Sequence, residues 1–406
     1  MKRTVLLISL STPLLLYGQG FQVNLQGQKQ QAMGGTGTGT ALDAASVFFN
    51  PGAVSLLKEN SVSAGATLTI DNTVFRDGNS QKEYKTVSPP SSPFTAYAVW
   101  GPSEKKWKVG LGIYTPFGSV IKYEDAWSGR FAITQMKLLS IFFQPTVSYQ
   151  ISEKLGVGAG FVYGYGNIDL RRDLPVADYN SKYGSAQLTG TASGLGYNLG
   201  VYYKPTDLLS IGVTYRSEVK MKVDNGTANF QVPSSLSSNF PSGKFTASLP
   251  LPQVFSLGIG LYPSEKWTVA ADFNYVMWSS YQTLAFDYEQ NTSSLKDTES
   301  PRNYKNSFAL RLGAEYKASE KWKIRAGGNY QKTPIQDGYV TPEVPDADRW
   351  NWTIGIGFSP IEKLVIDASF TYVNFVKRTD TNIETQLSGT YKSRILAPGL
   401  SLTYIF

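Results

Sequence analysis

The chain has 406 residues, a formal net charge of +7, and neither cysteine nor histidine. The lack of these residue types excludes disulfides, Ser-His-Asp and Cys-His catalysis and most zinc sites. The basic residues are scattered among acidic ones, which argues against nucleic-acid binding. We therefore expect no enzyme activity, no cofactor and no metal.

The N-terminus has the pattern of an export signal over residues 1–20. Two basic residues precede an apolar stretch at 5–16, and small residues follow at Gly18 and Gly20. Cleavage after either glycine fits. The apolar stretch is too short and too interrupted for a spanning helix, so the mature protein is predicted to be exported.

Residues 21–57 do not alternate like a strand. A glycine-rich run at 34–39 precedes a stretch of small and apolar residues at 41–49, which suits one or two short helices. The tripeptide Asn50, Pro51 and Gly52 then marks a turn. The segment could be a periplasmic tail or a plug, and its Phe, Val and Ala content favours a buried plug, which we call the hatch.

Residues 58–406 are predicted to form a β-barrel of about fourteen antiparallel strands. Six short polar turns, each followed by an apolar or aromatic residue, alternate strictly with seven longer polar stretches. An even-stranded outer-membrane barrel with short periplasmic turns and long outer loops has this rhythm. The six turns lie at 102–107, 151–155, 204–208, 263–267, 319–322 and 359–364. The long stretches lie near 72–92, 116–136, 171–185, 222–243, 283–302, 332–348 and 377–391.

Period-two alternation separates a lipid face from a lumen face in each predicted strand. In the twelfth strand Trp352, Ile354 and Ile356 oppose Thr353 and Gly355. The same parity turns seven charged residues inward, and we expect most of them to pair with each other. They are Arg216, Glu218, Asp272, Arg311, Glu315, Arg325 and Asp367.

Some inward arginines could instead hold an acidic ligand. An arginine grips a carboxylate with two parallel hydrogen bonds. Arg311 and Arg325 lie on adjacent predicted strands. Together with Arg216 they are the candidates for a ligand carboxylate.

The third predicted strand alternates well and then reaches Pro116, Phe117 and Gly118. Pro116 cannot donate to a ladder, and Gly118 tolerates bends that other residues do not. Two interpretations remain open on these residues: the strand ends here and a loop begins, or the strand kinks and opens the wall.

The C-terminus alternates through Leu400, Leu402 and Tyr404 and ends on Phe406. A terminal aromatic residue on an amphipathic strand is similar to the recognition signal of outer-membrane barrel assembly. We therefore expect the barrel assembly machinery to bind at Phe406.

Several motifs together resemble the FadL-type outer-membrane transporters, which include toluene channels. The stretch 43–52 resembles the family hatch, although the family usually has alanine where this chain has Gly52. The stretches 112–118 and 127–131 resemble the third strand and its loop, and 251–258 resembles the strand after the central loop. The resemblance covers the whole mature chain.

The resemblance implies a fourteen-stranded barrel with a hatch in the outer membrane of a Gram-negative bacterium. It implies passive transport of hydrophobic molecules, most often long-chain fatty acids, caught by the outer loops and released sideways at a kink in the third strand. Outer-membrane lipids and lipopolysaccharide would surround it. The alternatives are a structural or adhesin-like barrel that binds a partner through its loops, and an open polar porin.

Overall fold

The computed structural model describes residues 20–102, 104–178 and 180–406. The predicted export signal, Gly20 apart, lies outside the described residues. Within the described part of the chain, no helix is long and apolar enough to cross a membrane.

The described strands join in a single antiparallel sheet. Their bounds are β1 (Ser61–Thr67), β2 (Ile70–Asp77), β3 (Glu83–Lys85), β4 (Phe94–Trp100), β5 (Trp107–Tyr114), β6 (Gly118–Lys122), β7 (Gln135–Ser152), β8 (Leu155–Ala177), β9 (Tyr183–Tyr203), β10 (Leu209–Arg216), β11 (Val219–Gln231), β12 (Gly243–Leu251), β13 (Val254–Ser264), β14 (Trp267–Val276), β15 (Thr283–Tyr288), β16 (Thr298–Pro301), β17 (Ser307–Lys317), β18 (Trp322–Gln331), β19 (Arg349–Ile361), β20 (Leu364–Phe375), β21 (Arg378–Thr381) and β22 (Ser388–Ile405).

Consecutive pieces of strand combine into fourteen spanning strands, as predicted. These are, in order, β1 with β2, β3 with β4, β5 with β6, β7, β8, β9, β10 with β11, β12 with β13, β14 with β15, β16 with β17, β18, β19, β20 with β21, and β22. Each pairs with its neighbour, and β1 pairs with β22 from Ser61↔Ile405 to Thr67↔Gly399. That last pairing closes the barrel and removes the free sheet edges.

The barrel wall has an apolar outer face and a polar inner face, as predicted. In β19, Trp352 and Ile354 are 59% and 60% exposed, whereas Thr353 between them is 4% exposed. Exposed Trp107, Trp267 and Trp322 lie at the short-turn end, where such rings suit a membrane–water interface. The apolar outer face meets lipid, and the polar face lines the lumen.

The six short turns lie where they were predicted, but several long loops do not. The stretches predicted as loops at 72–92, 171–185 and 222–243 are partly strand, because β2, β8 and β11 continue into them. Apolar residues alternate along a strand where one face of the strand contacts lipid. Beyond the membrane this alternation is lost, although the strand and its hydrogen bonds continue. The predicted loop at 332–348 does separate β18 from β19.

The segment before β1 is folded inside the barrel. It contains α1 (Gln28–Ala32), α2 (Ser46–Phe49) and a 3-10 helix (Pro51–Leu56), and most of its residues are buried. Helix α1 packs on β18, β19, β20 and β22, and the 3-10 helix packs on β5, β7, β8, β9 and β10. The hatch therefore occupies the lumen, while its predicted division from the barrel at residues 57 and 58 stays a prediction.

Candidate functional site

An apolar chamber lies above the hatch. Its volume is about 250 Å³. The ion pair Arg302–Glu343 lies at its border. Most of its apolar lining comes from inward side chains of the fourth to ninth spanning strands, and these include Met136, Leu138, Ile168, Leu170, Leu188, Met221, Val223, Leu249 and Phe286. A chamber with these walls suits a flexible apolar ligand, because methionine and leucine side chains adapt to irregular shapes.

A gap interrupts the wall between the second and third spanning strands. Their ladder ends at Thr95↔Tyr114 and resumes only at the isolated bridge Thr86↔Tyr123. The second strand carries Pro89, Pro90 and Pro93 along this stretch. These prolines have no N–H to donate, so this edge is poor in ladder donors.

The third strand leaves the wall at the gap and pairs with the hatch instead. Val23 N–H donates to the carbonyl of Pro116 at 2.8 Å, and Gly118 N–H donates to the carbonyl of Phe21 at 3.2 Å. The Gln26 amide donates to the carbonyl of Thr115 at 2.9 Å. The backbone groups that leave the barrel ladder are therefore satisfied by the hatch.

The strand does not end at this interruption. Residues Gly118–Lys122 continue as β6, which pairs with β7 from Gly118↔Leu139 to Lys122↔Gln135. The predicted interruption at Pro116, Phe117 and Gly118 marks only the third-strand side of this gap. The prolines of the second strand are the sequence signal that marks its other side.

A second cavity of about 790 Å³ runs from the lumen through this gap. On the lumen side it is lined by Asn351, Thr353 and Thr371. It also touches side chains on the outer face of the barrel, including Lys137 and Leu139, which are exposed. One continuous space therefore joins the barrel interior to its outer surface.

Two phenylalanines separate the chamber from this wall cavity. Phe21 of the hatch and Phe117 of the third strand line both spaces, and their ring centres lie 6.3 Å apart. Trp278 contacts both rings, at 5.0 Å from Phe21 and 6.3 Å from Phe117. Because one ring belongs to the hatch and the other to the wall, a shift of the hatch end would change the passage between the two spaces.

An acidic loop residue holds the start of the hatch. Asp346 Oδ2 accepts hydrogen bonds from the Gly20 N–H at 3.1 Å and from the Thr333 hydroxyl at 2.8 Å. Burial raises the pKa of the Asp346 carboxyl, and nearby Arg349 only partly opposes this. Asp346 thus anchors the chain directly before Phe21.

Comparison with known proteins decides the family. The sequence profile of the outer membrane protein transport protein family (OMPP1/FadL/TodX) matches residues 15–406. The chain belongs to this family. As a member of the OMPP1/FadL/TodX family it is an outer-membrane β-barrel protein, as the sequence predicted.

Individual family members are distant in sequence. The chain is 25% identical to the 47 kDa outer membrane protein of Pasteurella multocida, over 90% of this chain and 88% of the relative. It is 24% identical to the long-chain fatty acid transport protein of Salmonella typhi, over 88% of each. The crystal structure of a Pseudomonas aeruginosa FadL homologue superposes with a TM-score of 0.82 at 19% identity, covering 95% of this chain and 99% of that one. The P. putida toluene transporter TodX gives 0.73 at 18% identity, covering 96% and 99%.

In this member of the OMPP1/FadL/TodX family, the hatch motif of Asn50, Pro51 and Gly52 is held in place by contacts with backbone groups. The Asn50 side-chain amide donates to the carbonyls of Thr38 at 2.9 Å and Val201 at 3.0 Å, so it ties the hatch to the wall. Pro51 starts the 3-10 helix. A methyl group on Gly52 would lie 2.7 Å from the carbonyl oxygen of Gly200, so alanine at this position would require the hatch or the wall to move.

Two of the three arginines predicted for a ligand carboxylate are occupied. Arg325 lies between Glu315 at 2.6 Å and Asp367 at 2.7 Å, in a fully buried cluster. Arg311 donates to the Gly35 carbonyl and to the Asn24 side chain of the hatch, both at 2.8 Å. Most of their contacts are therefore structural, although Arg311 Nε and one terminal nitrogen of Arg325 have no hydrogen-bond partner. Their predicted role as ligands for a carboxylate stays a prediction.

Arg216 is placed differently. Its guanidinium lies 3.9 Å from the centre of the Phe48 ring, and its Nε has no hydrogen-bond acceptor. No carboxylate of the described residues lies within 4.0 Å of it. It lines a small space of about 30 Å³ together with Pro116 and Phe117. Of the three arginines, Arg216 makes no hydrogen bond or ion pair among the described residues, and it borders this space.

Proposed function

We propose that the protein carries hydrophobic small molecules, long-chain fatty acids in particular, passively through the outer membrane by lateral exit through the barrel wall. The observation that carries this proposal is the continuous cavity between lumen and outer surface, next to an apolar chamber. The names of two relatives, a long-chain fatty acid transport protein and a toluene transporter, support a hydrophobic cargo.

The path has three stages. The ligand enters the apolar chamber from the outer loops. It then passes Phe21 and Phe117 into the wall cavity, and leaves between the second and third spanning strands into lipid. Lateral exit avoids the polar lumen below, where an apolar chain would lose about 25 cal/mol for each Å² that returns to water.

Ligand passage is coupled to the hatch. The kinked segment is held inward by bonds to Phe21 and Val23 of the hatch. A ligand that displaces Phe21 loosens these bonds and widens the wall cavity. The filled lumen supports this proposal over an open polar porin, because a porin needs no hatch.

Arg216 is the group we propose for a ligand carboxylate. Replacing it with methionine, which keeps the apolar stem, should weaken oleate binding by about 1.5–3 kcal/mol, the range for a charged hydrogen bond. Titration monitored by tryptophan fluorescence measures this. Oleyl alcohol, which has the same tail without a carboxylate, should bind Arg216→Met and native protein equally. An equal loss for both ligands would show that the variant damages the chamber instead.

The exit route can be tested with a single thiol, because the chain has no cysteine. Ser119 lines the wall cavity. In Ser119→Cys, attachment of a bulky maleimide should reduce oleate uptake to the level of cells without the protein, while the unlabelled variant transports normally.

The matched control is Ser193→Cys, an exposed residue of β9 that lines neither the chamber nor the wall cavity. Labelling there should leave uptake unchanged. Native uptake by fully labelled Ser119→Cys would mean that ligand does not use the wall gap.

A further inference from the structure

Three cations frame the outer mouth of the wall cavity. Lys122, Lys137 and Arg171 all line this cavity, and all three side chains are exposed on the outer face of the barrel. The strand register places them together, because Lys122 pairs with Gln135 and Gln135 pairs with Arg171. Lys137 lies on the same face, two residues beyond Gln135.

The mouth lies at a boundary between apolar and polar surface. Directly below the lysines, the outer face carries Leu139, Phe143 and Tyr165, which are 37%, 37% and 42% exposed. These side chains continue the lipid-facing belt. A molecule that leaves here can place its tail against the belt and its polar end beside the lysines.

The charges at the mouth do not cancel. Asp169 accepts from Arg171 at 3.0 and 2.7 Å and is the cross-strand partner of Lys137, so its one negative charge offsets one of the three cations. Lys122 and Lys137 have no carboxylate within 4.0 Å among the described residues. The next row outward adds Lys85 and Glu124, one charge of each sign. The mouth therefore keeps an excess of two positive charges.

We propose that Lys122 and Lys137 form an exit station that holds the carboxylate of a departing ligand while its tail enters the lipid. This inference rests on the proposed function and extends it, because it makes the exit selective for acidic amphiphiles over neutral hydrocarbons. Lysine suits release, since its ammonium is a strongly hydrated point charge, whereas arginine holds a carboxylate bidentately.

The position of the lysines favours the ligand over lipopolysaccharide phosphate as the bound anion. Both lysines line the cavity itself. Lys220 and Lys222 are also exposed on the outer face, on β11, but line neither the chamber nor the wall cavity. Lysines that served only to bind surrounding lipid would have no need to touch the cavity.

The test compares two ligands that differ only in the head group. The full chain is expressed in cells that lack their own fatty acid transporter, and initial uptake of oleate and oleyl alcohol is measured. In Lys122→Gln/Lys137→Gln, oleate uptake should fall about three- to fivefold, as expected for the loss of two exposed ion pairs. Oleyl alcohol uptake should stay at the native rate.

The control Lys220→Gln/Lys222→Gln removes the same charge elsewhere and should transport both ligands normally. A different mobility of boiled and unboiled samples shows that each barrel is folded, and Lys137→Gln alone serves as a milder second variant. Equal losses for both ligands, or no loss for either, would overturn the exit station.

Two further outcomes separate the exit station from its alternatives. If the oleate defect disappears in cells whose lipid A lacks phosphate, the lysines bind lipopolysaccharide and the proposal is wrong. If the defect persists there, it is supported. If the native chain fails to restore uptake of either ligand, the proposed function itself fails, whereas normal native uptake with an unaffected lysine variant rejects only the exit station.

Discussion

Replacing Gly212 with valine should unseat the hatch and make the barrel permeable to sugars. Gly212 lies on the inner face of β10, and a methyl group there would overlap the carbonyl oxygen of Thr38 in the hatch. It would also lie 2.7 Å from the Asn50 side-chain amide. Because backbone blocks the space, the hatch must move. Liposome swelling with small sugars measures the opening.

The barrel itself should tolerate this change. Valine favours strand structure, so β10 should still pair with its neighbours. Gly243→Val is the matched control, because the nearest atom to a methyl group there is 3.9 Å away, on Glu289. A Gly212→Val barrel that folds and still excludes sugars would show that the hatch adapts to the extra volume.

Other glycines on the lumen face share this role. Methyl groups on Gly158 and Gly258 would overlap the backbone of Pro51 and Gly39 respectively, both in the hatch. The sequence shows glycines at inward positions of strands, but a glycine weakens an isolated strand. These glycines are needed because the hatch backbone packs directly against them. Strand periodicity gives no information about that contact.

The sequence predicts the strand count and the two faces because both depend on local patterns. Turn chemistry repeats every two strands, and lipid contact imposes alternation on each strand. The contacts of the inward charges depend instead on register between distant strands. The alternation within β18 is enough to predict that Arg325 points inward. Its ion pairs with Glu315 and Asp367 depend in addition on how β17, β18, β19 and β20 align.

The wall gap illustrates the same limit. Pro116 and Gly118 mark an interruption, but they do not distinguish a strand end from a kink. That distinction depends on the opposing strand and on the hatch, which satisfies the carbonyl of Pro116. The three prolines of the second strand complete the signal only once the two strands are known to be neighbours.

Both edges of the gap contain one residue too many for a continuous ladder. From Tyr114↔Phe142 to Gly118↔Leu139 the third strand advances four residues while the fourth advances three. From Thr69↔Ser91 to Val74↔Lys85 the first strand advances five while the second advances six. Each extra residue bulges its strand away from regular pairing.

A closed-wall variant should therefore lose transport while keeping its chamber. It deletes one residue from each edge, Pro90 and Gly118, and replaces Pro89 and Pro93 with threonine and Pro116 with valine. Each of the two strands then matches its outer neighbour, the first or the fourth strand, and the two stay equal in length to each other. With a full set of donors, the ladder can close. We expect oleate uptake to fall to the level of cells without the protein, measured as initial rate.

Single changes at one edge supply the control for this variant. Deleting Gly118 alone leaves the prolines and the extra residue of the second strand, so the gap should persist and uptake should continue. Oleate should still bind the closed-wall variant with near-native affinity in a fluorescence titration, because Phe117 is the one chamber residue that adjoins the changed positions. If the closed-wall barrel folds, binds oleate and also transports it at the native rate, the ligand must leave through the lumen past the hatch, and the Gly212→Val barrel should then carry oleate faster than the native one.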